Sequence, residues 1–378
     1  MLKIDKIIQN ERKKIDMPDL KKIDVNFDNK EINEGLTYYD PTLCNHIKVY
    51  GLNWFEEDHR YVRFPKSSDE MIKGLAEGLY YLVEQPSGCM LAFYSDSDTL
   101  KIRVKLGHTF NMAHMAFTGQ GGCDLYIGTK REDLTFFRTS SYNILNKEYE
   151  FTYFTNWKRM KRLFLINLPL YAAVDKIEIG ITDGSLIEPA IDLFPKGRIV
   201  CYGTSITQGG CASRPGMSYT NALSRRLGYE VLNFGFSGNG RGQKEVATLL
   251  SSIKDVSLFI LDYEANATLP MLKDTLDNFI DIIRSKYPTT PIVVMSKIRM
   301  SVETHLIESK KAEQKSLNFE RMVVKKREKE DHNIYFLNGH YLLGKYVTEA
   351  TVDGCHPTDL GFMLITDYLE KYLKKVLS

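Results

Sequence analysis

Residues 198–210 read RIVCYGTSITQGG. A short apolar, β-rich run ends at a glycine, and Ser205 follows two residues later with another pair of glycines close behind. Taken alone this is a strand running into a turn, with Ser205 as a turn or helix-capping serine, because clusters of Gly, Ser and Thr mark loops. Whether Ser205 does more depends on what the neighbouring strands carry at their own ends.

From about residue 197 the chain alternates strand and helix. RIVCYG (198–203), EVLNFG (230–235), LFILDY (258–263), IVVMSK (292–297) and NIYFLN (333–338) are β-rich runs. Stretches long enough for helices lie between them, including 270–287 and the charged 303–331. In 359–377, Leu360, Leu364, Tyr368, Leu369, Tyr372, Leu373 and Val376 fall on one stripe at helical spacing. Five strands with crossover helices predict a five-stranded parallel sheet covered on both faces, a three-layer α/β/α (flavodoxin-like) domain over 197–378. Ligands of such sheets gather outside the carboxyl ends of the strands. Those ends carry Gly203-Thr204-Ser205, Ser237-Gly238-Asn239-Gly240, Glu264-Ala265-Asn266, Lys297 with Arg299, and at some distance Asp353-Gly354-Cys355-His356-Pro357.

Acyl transfer needs that inventory. A serine hydroxyl is a weak nucleophile until an imidazole within hydrogen-bond reach accepts its proton. A carboxylate on the other ring nitrogen holds the tautomer and stabilises the imidazolium. Asp353 and His356 sit three apart on one loop, and Pro357 biases His356 toward extended backbone. The tetrahedral oxyanion needs preorganised donors, which the N–H groups of Ser205 and Gly238 and the side-chain amide of Asn266 would supply. Each residue also has a bland reading: a turn for Gly238 and Asp353, a helix cap near Pro270 for Asn266. Arg214, Arg241, Lys297 and Arg299 read first as solvated surface charges, with substrate contact as the alternative. Cys355 reads as a small filler, and KKREKED (325–331) as a solvated helix face.

GTSITQGG, NFGFSGNG, the Asn-bearing segment after the third strand, and DGCHPTDLGF together resemble, in order, the four blocks of the SGNH (GDSL-type) hydrolase family. The resemblance covers roughly 197–378. It implies Ser205 as nucleophile, His356 as base, Asp353 as its orienting acid, and Ser205, Gly238 and Asn266 as the oxyanion hole. Two letters depart from the pattern: Thr204 stands where the family name expects Asp, and EANAT replaces the commoner Gly-x-Asn-Asp around Asn266. The longer string GTSITQGGCASRPGMSY, behind a β-rich region, is similar to the branch with an N-terminal jelly-roll domain, and NWFEEDHRYVRFP (53–65) resembles the opening of that domain.

The front half supports this. LKIRVKL (100–106), CDLYIGT (123–129), YEFTYFT (149–155), RLFLINL (162–168) and KIEIGIT (176–182) alternate apolar and polar residues, as half-buried antiparallel strands do. They predict an all-β, jelly-roll-like sandwich domain over 1–190, with its boundary in IEPAIDLFPKG (187–197). Which of its side chains, Trp54 and His59 among them, reach the pocket is not readable from sequence.

Bulk properties narrow the function. Among 378 residues, 50 Lys+Arg against 48 Asp+Glu leave +2, too little to attract nucleic acid or an anionic membrane. MLKIDKIIQNERKK has no apolar core of a signal peptide, and no apolar run approaches the ~18 residues of a spanning helix. A cytoplasmic setting with free thiols is therefore expected. The six cysteines show no CxxC or Cys/His ligand spacing, so neither zinc nor any organic cofactor is expected. The resulting reading is a serine esterase acting on O-acyl, preferably O-acetyl, esters of a carbohydrate. A lipid esterase or thioesterase and an acyltransferase on the same triad stay open, as do a non-catalytic carbohydrate-binding protein and self-association of the chain.

Overall fold

The computed structural model describes residues 35–378. MLKIDKIIQNERKK, and with it the start of the expected 1–190 region, lies outside the described residues.

The front half forms two antiparallel sheets. Its strands are β1 (Leu36–Tyr39), β2 (Lys48–Tyr50), β3 (Met90–Ser95), β4 (Leu100–Thr109), β5 (Asp124–Gly128), β6 (Thr135–Thr139), β7 (Glu148–Phe154), β8 (Arg162–Asn167), β9 (Ala172–Thr182) and β10 (Ile187–Pro189). One sheet runs β1-β9-β4-β7, the other β10-β3-β8-β5-β6 with β2 also on β3. Alternation holds in β4, whose Leu100, Ile102, Val104 and Leu106 enter the core between the sheets opposite Phe93 of β3 and Phe164 of β8. It fails in β8, where all six residues are buried. Leu163 and Leu165 point away from that core and pack on Ala190, Leu193 and Phe194. The stretch after β10, which reads as mere boundary, thus covers the second face of this sheet.

Two short helices, α1 (Asp69–Leu75) and α2 (Glu77–Val83), also belong to the front half. The remainder is built on β11 (Arg198–Gly203), β12 (Glu230–Gly235), β13 (Val256–Asp262), β14 (Ile292–Met295) and β15 (Ile334–Leu337). All pair in parallel in the order β12-β11-β13-β14-β15. The helices are α3 (Ser205–Gln208), α4 (Tyr219–Leu227), α5 (Lys244–Ser251), α6 (Leu269–Arg284), α7 (Ile307–Arg327) and α8 (Asp359–Val376). The predicted five-stranded α/β/α sheet is therefore present. Successive residues of each strand serve opposite faces: Val200 and Tyr202 meet α5 and α6, while Ile199 and Cys201 meet α4 and α8. Each such side chain fully removed from water contributes about 1.5–3 kcal/mol. The buried stripe of α8 is Phe362, Ile365, Leu369 and Leu373; Leu360 (45 % exposed) and Tyr368 (36 %) face solvent, a one-residue phase error in the expected stripe.

β12 is an edge strand, and the front half covers it. Arg63, 1 % exposed, donates through Nη1 to the carbonyls of Gly235 and Asn233, and through Nη2 to Leu82 O at 2.5 Å. Its guanidinium lies 4.2 Å over the ring of Phe236. Burial pulls its pKa down to about 9. At the other end of the strand, Gly51 N–H donates to Glu230 Oε1 at 2.8 Å. Unpaired strand edges recruit foreign strands, and these contacts occupy this one.

Candidate active site

Register sets the rim of the site. Gly203 at the end of β11 lies level with Gly235 of β12 and Asp262 of β13, so the turns that follow share one edge.

Thr204 caps α3 in extended backbone, its Oγ1 accepting from Ile206 N at 3.3 Å while its own N–H donates to Thr207 Oγ1 at 3.2 Å. A hydroxyl thus does locally what a capping carboxylate would do, which accounts for the off-pattern threonine. Thr207 Oγ1 in turn donates to Asp262 Oδ2 at 2.8 Å, and Tyr219 OH donates to the same oxygen at 3.2 Å. Ser205, 8 % exposed, is the first residue of the helix. Its carbonyl accepts from Gly209 N, Gly210 N (2.7 Å) and Tyr171 OH (3.3 Å).

The structure brings together Ser205, His356 and Asp353, across 151 positions of chain. Ser205 Oγ stands 2.8 Å from His356 Nε2, and His356 Nδ1 stands 2.7 Å from Asp353 Oδ2. The other oxygen of Asp353 accepts from the N–H groups of Cys355 (2.9 Å) and His356 (2.7 Å). Partial burial pushes this carboxyl up, but the His356 N–H, its ring and the Cys355 N–H outweigh that and hold it at about 2. The loop therefore keeps its carboxylate ionised and its imidazole fixed. Gly210 leaves room for the ring: a Cβ there would stand 3.2 Å from His356 Cδ2 and 2.9 Å from Tyr171 OH. Burial pushes the Cys355 thiol up to about 11, so it carries no thiolate at neutral pH, in keeping with a filler.

Gly238 has φ +66°, the left-handed region that glycine occupies without strain, and no atom crowds the position its Cβ would take. Neither its N–H nor that of Ser205 has a protein acceptor among the described residues. The Asn266 amide donates to Phe236 O at 3.0 Å, which ties it to the turn bearing Gly238 and leaves its second hydrogen free. The cap reading of Asn266 is overturned: Thr268 caps α6, its hydroxyl accepting from Met271 N at 3.4 Å.

Gln208, within the opening motif, fastens these pieces together. Its Oε1 accepts from Ser237 N at 3.0 Å, and its Nε2 donates to Gln85 Oε1 (2.6 Å) and Leu170 O (3.0 Å). Asp124 of β5, wholly buried, accepts from Gly216 N, from Asn167 Nδ2 at 2.9 Å and from Arg214 Nη1 at 2.5 Å. Arg214, also bonded to Tyr126 OH at 2.8 Å, is thus neither solvated nor free for substrate. Lys297 is occupied as well: its Nζ pairs with Glu303 and lies 3.8 Å from Glu313, and its N–H donates to Glu264 at 2.8 Å. Arg241 Nε supports Gly238 O at 2.7 Å. Trp54 is a core residue, edge-on to Phe64 and Phe234, and His59 lines a separate cleft with Glu84 and His108. Gln208, Tyr171, Asp124 and Arg63 went unrecognised in sequence. The only signal was the polar letters inside apolar or glycine-rich runs.

Residues 196–374 match the model of the GDSL-like Lipase/Acylhydrolase family, and residues 36–187 match GxDLY, the N-terminus of Esterase_SGNH_hydro-type. The chain belongs to the SGNH, or GDSL-type, hydrolases. As a member it is an ester-hydrolysing enzyme. The letters of the second name stand here as Gly122-Cys123-Asp124-Leu125-Tyr126, so the clamp on Arg214 and Gly216 is made by that motif's aspartate and tyrosine. Among solved structures, a GDSL-like lipase from Bacteroides ovatus is similar at 29% identity, with a TM-score of 0.82, covering 90% of this chain and 98% of that one. The salicylyl-acyltransferase SsfX3 from a tetracycline biosynthetic pathway shares the fold at 18% identity, TM-score 0.73, with 91% and 98% covered. A family two carbohydrate esterase from Cellvibrio japonicus shares it at 12% identity, TM-score 0.56, with 90% and 98% covered. No curated protein sequence matches the chain. No described helix of this SGNH hydrolase is long and apolar enough to cross a membrane.

The buried acid beneath the nucleophile turn gives a pH prediction. Burial pushes Asp262 from 3.8 up to about 7 against the pull of Thr207 and Tyr219. The folded protein then holds this proton more tightly than the unfolded chain, so stability falls as pH rises from about 4 to about 7 and levels off above. Asp262→Asn removes that contribution. Thermal melts should show the variant gaining on the parent across that window, by roughly 4 kcal/mol at most at the 1.36 kcal/mol of each pKa unit. Parallel melting curves from pH 4.5 to 8 would show that Asp262 is ionised throughout.

Proposed function

We propose that this hydrolase is a serine esterase that removes small acyl groups, acetyl foremost, from a carbohydrate through an acyl-enzyme on Ser205. The observation that carries the reading is the pair of hydrogen bonds in series, Ser205 Oγ to His356 Nε2 at 2.8 Å and His356 Nδ1 to Asp353 at 2.7 Å. With Asp353 ionised, Nδ1 carries the proton and Nε2 presents its lone pair to the serine hydroxyl. His356 takes the Ser205 proton as Oγ attacks the ester carbonyl, and returns it to the departing sugar hydroxyl. Water then enters, His356 takes its proton, and acetate leaves with Ser205 restored. The free N–H groups of Ser205 and Gly238 and the second Asn266 amide hydrogen serve the oxyanion, the contribution removal of which costs ~10²–10³ in rate in comparable sites.

Acetyl over longer chains is supported by the confinement of the nucleophile, 8 % exposed and backed by Gly210 and Tyr171. The sugar is supported by the architecture shared with the Cellvibrio japonicus esterase. The test is an acyl-length series of p-nitrophenyl esters alongside acetate release from acetylated xylo- and manno-oligosaccharides. Acetyl should give the highest kcat/KM, with one acetyl group trapped on the Ser205 peptide in mass spectra of the quenched enzyme. Octanoyl turnover exceeding acetyl would overturn the substrate class, and an acetyl found on another residue would overturn the nucleophile.

A further inference from the structure

The fold gathers three metal-ligating side chains that are far apart in sequence. One ligand atom from each of His114, Cys211 and His356 lies within 4.8 Å of the other two. His114 comes from the segment after β4, Cys211 from the loop after α3, and His356 from the loop before α8. The rings of His114 and His356 have centroids 5.6 Å apart. Cys211 is 8 % exposed and held at φ +73°, in the left-handed region that costs a side chain of its size about 1–3 kcal/mol. Its thiol lies within 4.8 Å of a ring nitrogen of the catalytic histidine.

We propose that these three side chains form an inhibitory site for a borderline-soft divalent cation, zinc foremost. Two imidazoles and a thiolate with a water in the fourth place are an ordinary zinc set. Ligand atoms around zinc lie ~3.3–3.8 Å apart at bond lengths of ~2.0–2.3 Å, so closing the site needs a shift of about 1 Å, within reach of the exposed His114. His356 is pre-oriented for the ion by the contact that orients it for catalysis: Asp353 holds Nδ1 at 2.7 Å, the carboxylate–histidine–zinc arrangement. Its remaining lone pair, on Nε2, is the one that Ser205 uses at 2.8 Å. The ion and the nucleophile therefore compete for one electron pair. On binding, the Cys211 thiol gives its proton to solvent as the sulfur–metal bond forms, and the Ser205–His356 hydrogen bond breaks. No electron transfer is involved. Linear spacing conceals this set, because 97 positions separate the first two ligands and 145 the last two.

The inhibition, though not the binding, rests on His356 being the base. The test therefore has two readouts on the full chain. Co²⁺ binding should give a thiolate-to-cobalt charge-transfer band with the visible bands of a tetrahedral site, in the parent and undiminished in Ser205→Ala, and lost in Cys211→Ala. Zn²⁺ should inhibit p-nitrophenyl acetate hydrolysis reversibly, with EDTA restoring activity and millimolar Mg²⁺ without effect. His114→Ala and Cys211→Ala should keep metal-free activity while their half-inhibiting Zn²⁺ concentration rises at least ~10–100-fold. Absence of the thiolate band in both the parent and Ser205→Ala would overturn the site, whatever the esterase activity. Unchanged zinc sensitivity in Cys211→Ala and Cys211→Ser would do the same.

Discussion

Ser205→Ala is expected to lower kcat/KM for p-nitrophenyl acetate by ~10⁴–10⁶, nearly all of it in kcat, while the melting temperature stays within about two degrees of the parent. Among the described residues the hydroxyl bonds to His356 alone, and the turn is fixed by Thr204, Thr207 and Gln208, so the alanine fits without rearrangement. Asp353→Asn should cost ~10⁴, because an amide in that place favours the wrong imidazole tautomer. The remaining oxygen of the asparagine still accepts from the Cys355 and His356 N–H groups, so the loop keeps its place and the loss falls on the imidazole. The double variant should be little worse than Ser205→Ala, since the three groups act as a unit. A Ser205→Ala enzyme retaining a tenth of parental turnover would remove Ser205 from the chemistry.

The second large effect concerns stability. Arg63→Met should lower stability by ~3 kcal/mol, since the carbonyls of Leu82, Asn233 and Gly235 lose a buried donor and each unpaired buried group costs ~1–3 kcal/mol, partly offset by no longer burying a charge. The melting temperature should fall by several degrees. Arg63→Lys should recover little, because an ammonium lacks the planar fork that spans two directions at once. Turnover should fall too, since Gly235 leads directly into the turn with Gly238, and a displacement of about 1 Å there costs ~10² in rate. A variant that melts with the parent would mean that β12 is secured without Arg63.

What the sequence disclosed was local. Strand and helix alternate at short range, and the triad lies on loops whose letters are contiguous, so GTSITQGG and DGCH could be read directly and their order fixed the sheet edge. Thr204 was legible as a departure, while its reason, a hydroxyl cap, needed the structure. The rest depends on pairs far apart in the chain. Gln208 reaches Gln85 across 123 positions, and Arg214 reaches Asp124 across 90. An arginine in CASRPG looks like any surface arginine until its buried carboxylate is known. Likewise the six buried residues of β8 could not be told from an alternating strand, because the cover on its second face comes from 190–194.

The coverage of β12 bears on how this architecture is inherited. To that strand, the front half is the neighbour that a sixth parallel strand would otherwise have been: Arg63 meets two carbonyls that a ladder would have met, and Gly51 meets the side chain of Glu230 at the strand's start. A lineage that dropped the front half would have to repaint the outer rim of β12 with lysine, proline or a bulge before its sheet could stand alone. The two halves are therefore expected to pass together through gene duplication and loss. Changes at position 63 should track changes at the carboxyl end of β12 more closely than changes in the β-sandwich core beside it.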